Sequence, residues 1–168
     1  MTRPSTVAAC IGLGGNVGDA RTILGDAVQA LAALPDTRLV RVSRFYRTPA
    51  WGVTAQADFV NAVALLDTAL APRALLDALL DLERRFGRMR AEDGSDRWGP
   101  RRLDLDILLY GDHAVDEPGL RIPHPHLHER AFALLPLVEV APDAVIAGVG
   151  LACTALAALD VDAIEALP

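Results

Sequence analysis

Apolar positions along this chain change their period several times, and each change marks an element. Residues 7–13, VAACIGL, form a short apolar run of strand length. Between 20 and 34, Ile23, Leu24, Ala27, Val28, Leu31 and Leu34 recur at helical spacing until Pro35 ends the pattern. Residues 38–47, RLVRVSRFYR, mix β-branched, aromatic and charged side chains and read as a strand. The stretch TPAWGVTAQA is a loop, and residues 58–67, DFVNAVALLD, are a second, more buried strand. Pro72 opens a helix with an apolar stripe of Leu75, Leu76, Leu79, Leu82 and Phe86, closed by Gly87. A long loop, 88–101, leads to the strand 103–110, LDLDILLY. Residues 113–122 suggest a hairpin-like edge, 129–140 a helix kinked or broken at Pro136, and 151–167 a peripheral helix.

The first six elements run β-α-β-β-α-β, the split βαβ order of a ferredoxin-like arrangement. The expected class is therefore α+β, an α/β sandwich. It has a ferredoxin-like core, a mainly antiparallel sheet, an added edge hairpin and C-terminal helices. Helices cover one face of the sheet and the other stays open for a ligand. The 168 residues suit one domain, 1–168, with a core at about 7–146 and a peripheral tail at 147–168. At 52% hydrophobic residues a substantial core is possible. No apolar run approaches the ~18 residues of a membrane span. The opening MTRPSTVAACIGLGGN is too short in its apolar run and too glycine-rich for a signal peptide, so the cytoplasm is the expected location.

Two cysteines, Cys10 and Cys153, lie at opposite ends of the chain without metal-type spacing and read as two small buried thiols. The net charge of −6 argues against a general nucleic-acid surface. All 16 basic residues are Arg, which excludes a P-loop lysine and a Schiff-base lysine. Seven of them, Arg84, Arg85, Arg88, Arg90, Arg97, Arg101 and Arg102, crowd residues 84–102 against Glu92, Asp93 and Asp96, a local charge of 7 − 3 = +4. Such a cluster is either a solvated face or a phosphate clamp.

Asp104 and Asp106 favour the clamp. At i and i+2 of a strand, both point to one face, while Leu103, Leu105, Ile107 and Leu109 point to the other. Two like charges roughly 7 Å apart repel by about 2 kcal/mol at an effective dielectric near 20. Salt bridges to nearby arginines would relieve this, and so would magnesium. Mg²⁺ takes one or two carboxylates and fills its shell with water and substrate phosphates. Phosphoryl transfer asks mainly for positioned cations, which an Arg loop closing over a nucleotide supplies.

Other motifs carry less. GLGGNVGD has Val17 where a dinucleotide fingerprint needs its third Gly, and reads as a tight strand-to-helix turn with Asp19 near the helix start, or as a lid. His124, His126 and His128 have a spacing that could serve zinc, but prolines flank His124 and the segment enters a helix. One histidine contacting phosphate near Arg130 is the better reading. Asn61 inside an apolar strand, with Phe59 two positions earlier, is either bonded to backbone or placed to read a flat heterocycle.

Taken together, SRFYRTPAWG, DFVNAVALLDT, ALLDALLDLERRFGRMR, RWGPRRLDLDILLYG and IPHPHLHERAFALLPLVEVAP resemble the successive motifs of the hydroxymethyl-dihydropterin pyrophosphokinases of folate biosynthesis, from about Cys10 to Asp143. The resemblance implies Mg²⁺-dependent transfer of pyrophosphate from ATP to the hydroxymethyl group of 6-hydroxymethyl-7,8-dihydropterin, by attack on the β-phosphorus and release of AMP. It also implies a monomer whose loops near 14–26, 48–59 and 87–102 lie over the site. By the same resemblance Asp104 and Asp106 hold two Mg²⁺ ions, and Arg88 and Arg101 assist transfer. Arg90 and Arg97 lie on the nucleotide side, Trp98 anchors the closing loop, and Glu83, Ile107, His124 and Arg130 contact ATP. Thr48, Pro49, Trp51 and Asn61 line the pterin pocket, with Phe59 and Phe132 sandwiching the ring. Departures from the family pattern are Leu80 for a Gln, Phe59 for a Tyr, Arg102 for a Thr, and the longer acidic stretch AEDGSD in the arginine loop.

Two alternatives make different demands. A nucleotidyltransferase with paired aspartates needs a Gly-Ser motif opening a helix upstream, whereas Gly94–Ser95 follows the second helix. A non-enzymatic ferredoxin-like ligand-binding module has no use for two carboxylates beside an arginine loop.

Overall fold

The computed structural model describes residues 5–49, 58–87 and 103–168. The core is one six-stranded sheet. Strand β1 (Val7–Gly15) lies between β5 (Asp104–Tyr110) and β4 (Phe59–Thr68), antiparallel to both. The far edge of β4 is shared. Strand β2 (Thr37–Val42) pairs with its C-terminal half and β3 (Tyr46–Thr48) with its start. The resulting order, β5-β1-β4-β2, is that of a ferredoxin-like core, as the βαββαβ succession implies.

The strand expected over 38–47 is thus two strands. Ser43 makes the break. Its N–H still donates to Val63 O at 2.9 Å, but its hydroxyl occupies the ladder by accepting from the Val63 N–H at 3.0 Å. A side chain substituting for a backbone carbonyl is the usual way Ser interrupts regular pairing.

Helices α1 (Ala20–Ala32) and α2 (Pro72–Arg85) cover one face. Asp19 caps α1, its carboxylate accepting from the Thr22 N–H at 3.2 Å. Pro72 stands in the first turn of α2, where no N–H is needed, and Arg84 and Arg85 in the last turn suit the negative end of the dipole. Beneath these helices lie Ile11 and Leu13 of β1, Leu66 of β4 and Leu103, Leu105 and Ile107 at β5, all buried with Leu24, Leu31, Leu75, Leu79 and Leu82. Each such side chain contributes about 1.5–3 kcal/mol by leaving water.

The second face is not simply open. Helix α3 (Ala131–Val140) and the short α4 (Ala152–Ala157) lie over part of it, burying Leu134, Leu137, Val140 and Ala152 against Cys10, Val63, Leu108 and Leu109. Helix α3 is apolar on nearly every side, so it must sit between layers. It runs through Pro136, which has no N–H to give the Phe132 carbonyl, and a separate 3-10 turn at Leu127–Glu129 precedes it.

Leu109 also departs from simple alternation. The β1–β5 register shifts between Cys10 and Ile11, so that Cys10 faces Leu109 and Ile11 faces Ile107. The extra residue, Leu108, is a β-bulge. It moves Leu109 to the α3 side and swings Tyr110 under the other helices, where its hydroxyl donates to Leu70 O at 2.6 Å.

Residues 113–122 form a hairpin, β6 (Val115–Glu117) and β7 (Leu120–Ile122), turning through Gly119 at φ +74°. It is a separate two-stranded ribbon beside β5, tied there by the His124 N–H donating to Leu108 O at 3.1 Å. A smaller ribbon joins β8 (Val145–Ile146) to β9 (Gly150–Leu151). The expected helix over 151–167 is confined to α4. A turn in which the Asp162 N–H donates to Asp160 Oδ1 at 2.8 Å redirects the chain, and β10 (Glu165–Ala166) pairs with β3 at the sheet edge. Of the two thiols, Cys10 is buried and Cys153 is exposed, because position 153 faces outward on α4. No helix among the described residues is long and apolar enough to cross a membrane.

Candidate active site

On the sheet face that α3 partly covers, one row of residues crosses the strands. Asp104 of β5 faces Gly14 of β1, Gly14 faces Asn61 of β4, and Asn61 faces Tyr46 of β3. The next row pairs Asp106 with Gly12 and Gly12 with Val63. Directly paired residues share a sheet face. The two aspartates therefore stand on the same face as Asn61, two inter-strand spacings away, roughly 10 Å.

Between them β1 presents no side chain. A Cβ on Gly14 would lie 2.8 Å from Asn61 Oδ1, closer than atoms allow, and one on Gly12 would meet Leu108 at 3.4 Å. The motif GLGG is therefore not a turn at its first two glycines. The strand runs through Gly15, and the glycines let the Asn61 amide and the Leu108 side chain lie close against the β1 main chain. Sequence reasoning missed this, although glycine at alternating positions of an apolar strand was a usable signal.

At the β5 end, Asp104 and Asp106 are half-buried. Glu83 of α2, only 2% exposed, accepts at Oε2 from the Leu105 N–H at 2.8 Å. That bond fastens the main chain between the two aspartates. Two carboxylates on one rigid strand, Asp106 at the edge of a cavity, form a donor set suited to Mg²⁺ completed by water and phosphate.

On the other side, Asn61 Nδ2 donates to Thr48 Oγ1 at 2.7 Å, and both residues are buried. This bond fixes the amide plane. Thr48 pairs with Phe59, which is half-buried, and Pro49 follows at the exposed end of β3. From α3, Phe132 is half-buried, and the Arg130 guanidinium stands 5.8 Å from its ring centre.

A cavity of about 570 Å³ opens beside Asp106. It runs between α2 and the β6–β7 hairpin, lined by Leu76, Leu105, Ile107, residues 116–121, His124 and Pro125. Ile107 and His124 are thus placed together, and the hairpin residues join them unforeseen, since nothing in a short exposed ribbon marks it as a cavity wall. Burial is the main influence on His124, pushing its pKa down to about 4, with the positive Arg130 and His126 acting the same way and Asp104 opposing. The other two histidines turn aside. His126 Nδ1 lies 3.4 Å and His128 Nε2 3.5 Å from the Glu129 carboxylate. Of the remaining expected site residues, Trp51, Arg88, Arg90, Arg97, Trp98 and Arg101 lie outside the described residues.

The family model for 7,8-dihydro-6-hydroxymethylpterin-pyrophosphokinase matches residues 10–142. A 2-amino-4-hydroxy-6-hydroxymethyldihydropteridine pyrophosphokinase from Methylorubrum extorquens is 46% identical over 157 residues, covering 94% of this chain and 96% of its own. Its counterpart in Pseudomonas aeruginosa is 49% identical over 133 residues, 79% of this chain and 80% of that one. In fold, the chain resembles the crystal structure of Plasmodium falciparum HPPK-DHPS, with a TM-score of 0.72 at 13% identity, over 92% of this chain and 45% of that one.

Proposed function

The chain belongs to the 7,8-dihydro-6-hydroxymethylpterin-pyrophosphokinase family, and from that premise we propose that the row Asp104–Gly14–Asn61 is the axis of its active site. The protein is an ATP-dependent pyrophosphokinase of folate biosynthesis, moving pyrophosphate from ATP to hydroxymethyldihydropterin. The observation that carries the site assignment is the shared sheet face across Gly14, with carboxylates at one end and a locked amide at the other.

In this reading the nucleotide enters by the cavity, where Ile107 and Leu76 give its base an apolar wall and His124 stands near the phosphates. The pterin lies at the other end, its edge hydrogen-bonded by Asn61 and its faces against Phe59 and Phe132, with Thr48, Pro49 and Trp51 around it. Asp104 and Asp106 would hold two Mg²⁺, whose charge would offset that of the phosphates. Glu83 serves the nucleotide side by holding the aspartate strand in register. Arg88 and Arg101 assist transfer, Arg90, Arg97 and Arg130 offset further phosphate charge, and Trp98 anchors the arginine loop.

The transfer balances simply. The hydroxymethyl oxygen forms a bond to the β-phosphorus while the bond from that phosphorus to the oxygen shared with the α-phosphate breaks. AMP leaves with that oxygen, and the hydroxyl proton passes to solvent. The protein's part is to bring the two substrates into line across Gly14 and to keep water out. We place the enzyme in the cytoplasm as a single-domain monomer.

The test is to supply Mg-ATP and 6-hydroxymethyl-7,8-dihydropterin and separate the nucleotides. AMP and pterin diphosphate should form together in equal amounts, and chelation of divalent cations should stop both. Release of ADP in place of AMP would refute the reading.

A further inference from the structure

Helix α3 carries Phe132 near its start and Glu139 near its end. Seven residues are close to two helical turns, so the two side chains share a face about 10.5 Å apart along the axis. Glu139 is bound at both oxygens. Its Oε1 accepts from the Arg44 main-chain N–H at 2.8 Å and lies 3.4 Å from Arg44 Nε, and its Oε2 accepts from the Tyr46 hydroxyl. Tyr46 is 3% exposed and faces Asn61 across the β3–β4 pair. The Arg44 guanidinium stands 5.6 Å from the Tyr46 ring centre and closes the cluster from outside. The break at Ser43 makes this possible, since Arg44 stands between β2 and β3 and its N–H is turned to Glu139.

These contacts matter because of what the sheet does not fix. Thr48, Phe59 and Asn61 are set relative to one another by the β3–β4 register. Phe132 is not in the sheet, and its distance from Asn61 depends on how α3 lies across it. Apolar contacts through Leu134, Leu137 and Val140 attract the helix without fixing its slide or rotation, because burial has no direction. Hydrogen bonds do have direction. We propose that Glu139 is a positioning residue that, through Tyr46 and Arg44, sets the gap between Phe132 and the Asn61–Thr48 pair, and so the fit of the pterin ring. The inference rests on the site assignment made above.

Steady-state kinetics on Tyr46→Phe, Glu139→Ala and Glu139→Gln test it. The first two should raise KM for hydroxymethyldihydropterin by about 3- to 10-fold, the range of one lost hydrogen bond. KM for ATP and kcat should stay within about twofold, which is smaller than that effect. Glu139→Gln keeps an acceptor and should recover most of the loss. A fall in melting temperature with the pterin KM unchanged, or an equal rise in both KM values, would overturn the proposal. Should Glu139→Ala not fold, Tyr46→Phe decides alone, since it removes one hydroxyl and keeps the ring. Wild-type protein that forms no AMP would refute the site assignment instead, so the two failures are distinct.

Discussion

Glu83 Oε2 accepts a hydrogen bond from the Leu105 N–H at 2.8 Å, so a helix side chain holds the residue that separates Asp104 from Asp106. Both partners are buried, at 2% and 4% exposure. Glu83→Ala would leave a desolvated N–H without this acceptor, at a cost of about 1–3 kcal/mol. The variant should melt earlier and turn over more slowly, and Glu83→Gln, which keeps an oxygen there, should lose less of both. Urea unfolding and AMP release measure the two effects. Wild-type stability in the alanine variant would mean that the bond does not hold the strand.

Asp104 and Asp106 should behave in the opposite way. They lie on the face of β5 opposite Leu103, Leu105 and Ile107, which anchor that segment in the core. Asp104→Ala or Asp106→Ala should abolish AMP formation, while the chain still folds and melts cooperatively in metal-free buffer. Magnesium-dependent protection of the fold by ATP should vanish as well. Variants that fail to fold would return the pair to a structural role.

Gly14 offers a sharper contrast. An alanine there puts its Cβ 2.8 Å from Asn61 Oδ1, and the Asn61 amide is held at 2.7 Å by Thr48 and has no free end to swing. Overpacking of this kind costs about 1–3 kcal/mol, so Gly14→Ala should raise KM for the pterin by roughly tenfold or more. Gly12→Ala meets only the Leu108 side chain, at 3.4 Å, and should be milder. Equal effects at the two positions would show that room for the Asn61 amide is not what Gly14 provides.

Legibility in the sequence followed the range of the interactions. Elements set by local period and capping were readable: α1 with its Asp19 cap, α2 opening at Pro72, and the two-faced strand with Asp104 and Asp106. Errors fell where a distant partner decides. Ser43 ends a strand only because Val63 is there to bond with it, and Leu109 changes face because β1 and β5 slip by one residue at Leu108. In the tail, Glu165 and Ala166 form a strand because β3 offers them an edge. Cys153 shows the limit of composition, since a cysteine is usually buried but this one faces solvent on a peripheral helix. In the site, the shared face of Asp104 and Asp106 was legible from strand alternation. Their alignment with Asn61 across Gly14 was not, because it exists only once β1 is set between β4 and β5.

His124 gives the last prediction, with a definite sign. Burial first, then the charges of Arg130 and His126, lower its pKa to about 4, with Asp104 acting against them. An unfolded histidine titrates near 6.5. Between these values the unfolded chain binds the extra proton and the folded one does not, so stability rises with pH through that window. The contribution is complete above about 6.5 and is lost as the pH falls through about 4. In His124→Gln the dependence of urea-unfolding stability on pH between these limits should flatten. At neutral pH the imidazole is therefore uncharged and meets a phosphate as a hydrogen-bond donor, leaving the positive charge to arginine. Bound phosphate favours the protonated ring, so Mg-ATP should raise the pKa and be accompanied by proton uptake below about pH 6. A His124 imidazole resonance that titrates near 6.5 in the free, metal-free protein would contradict this account.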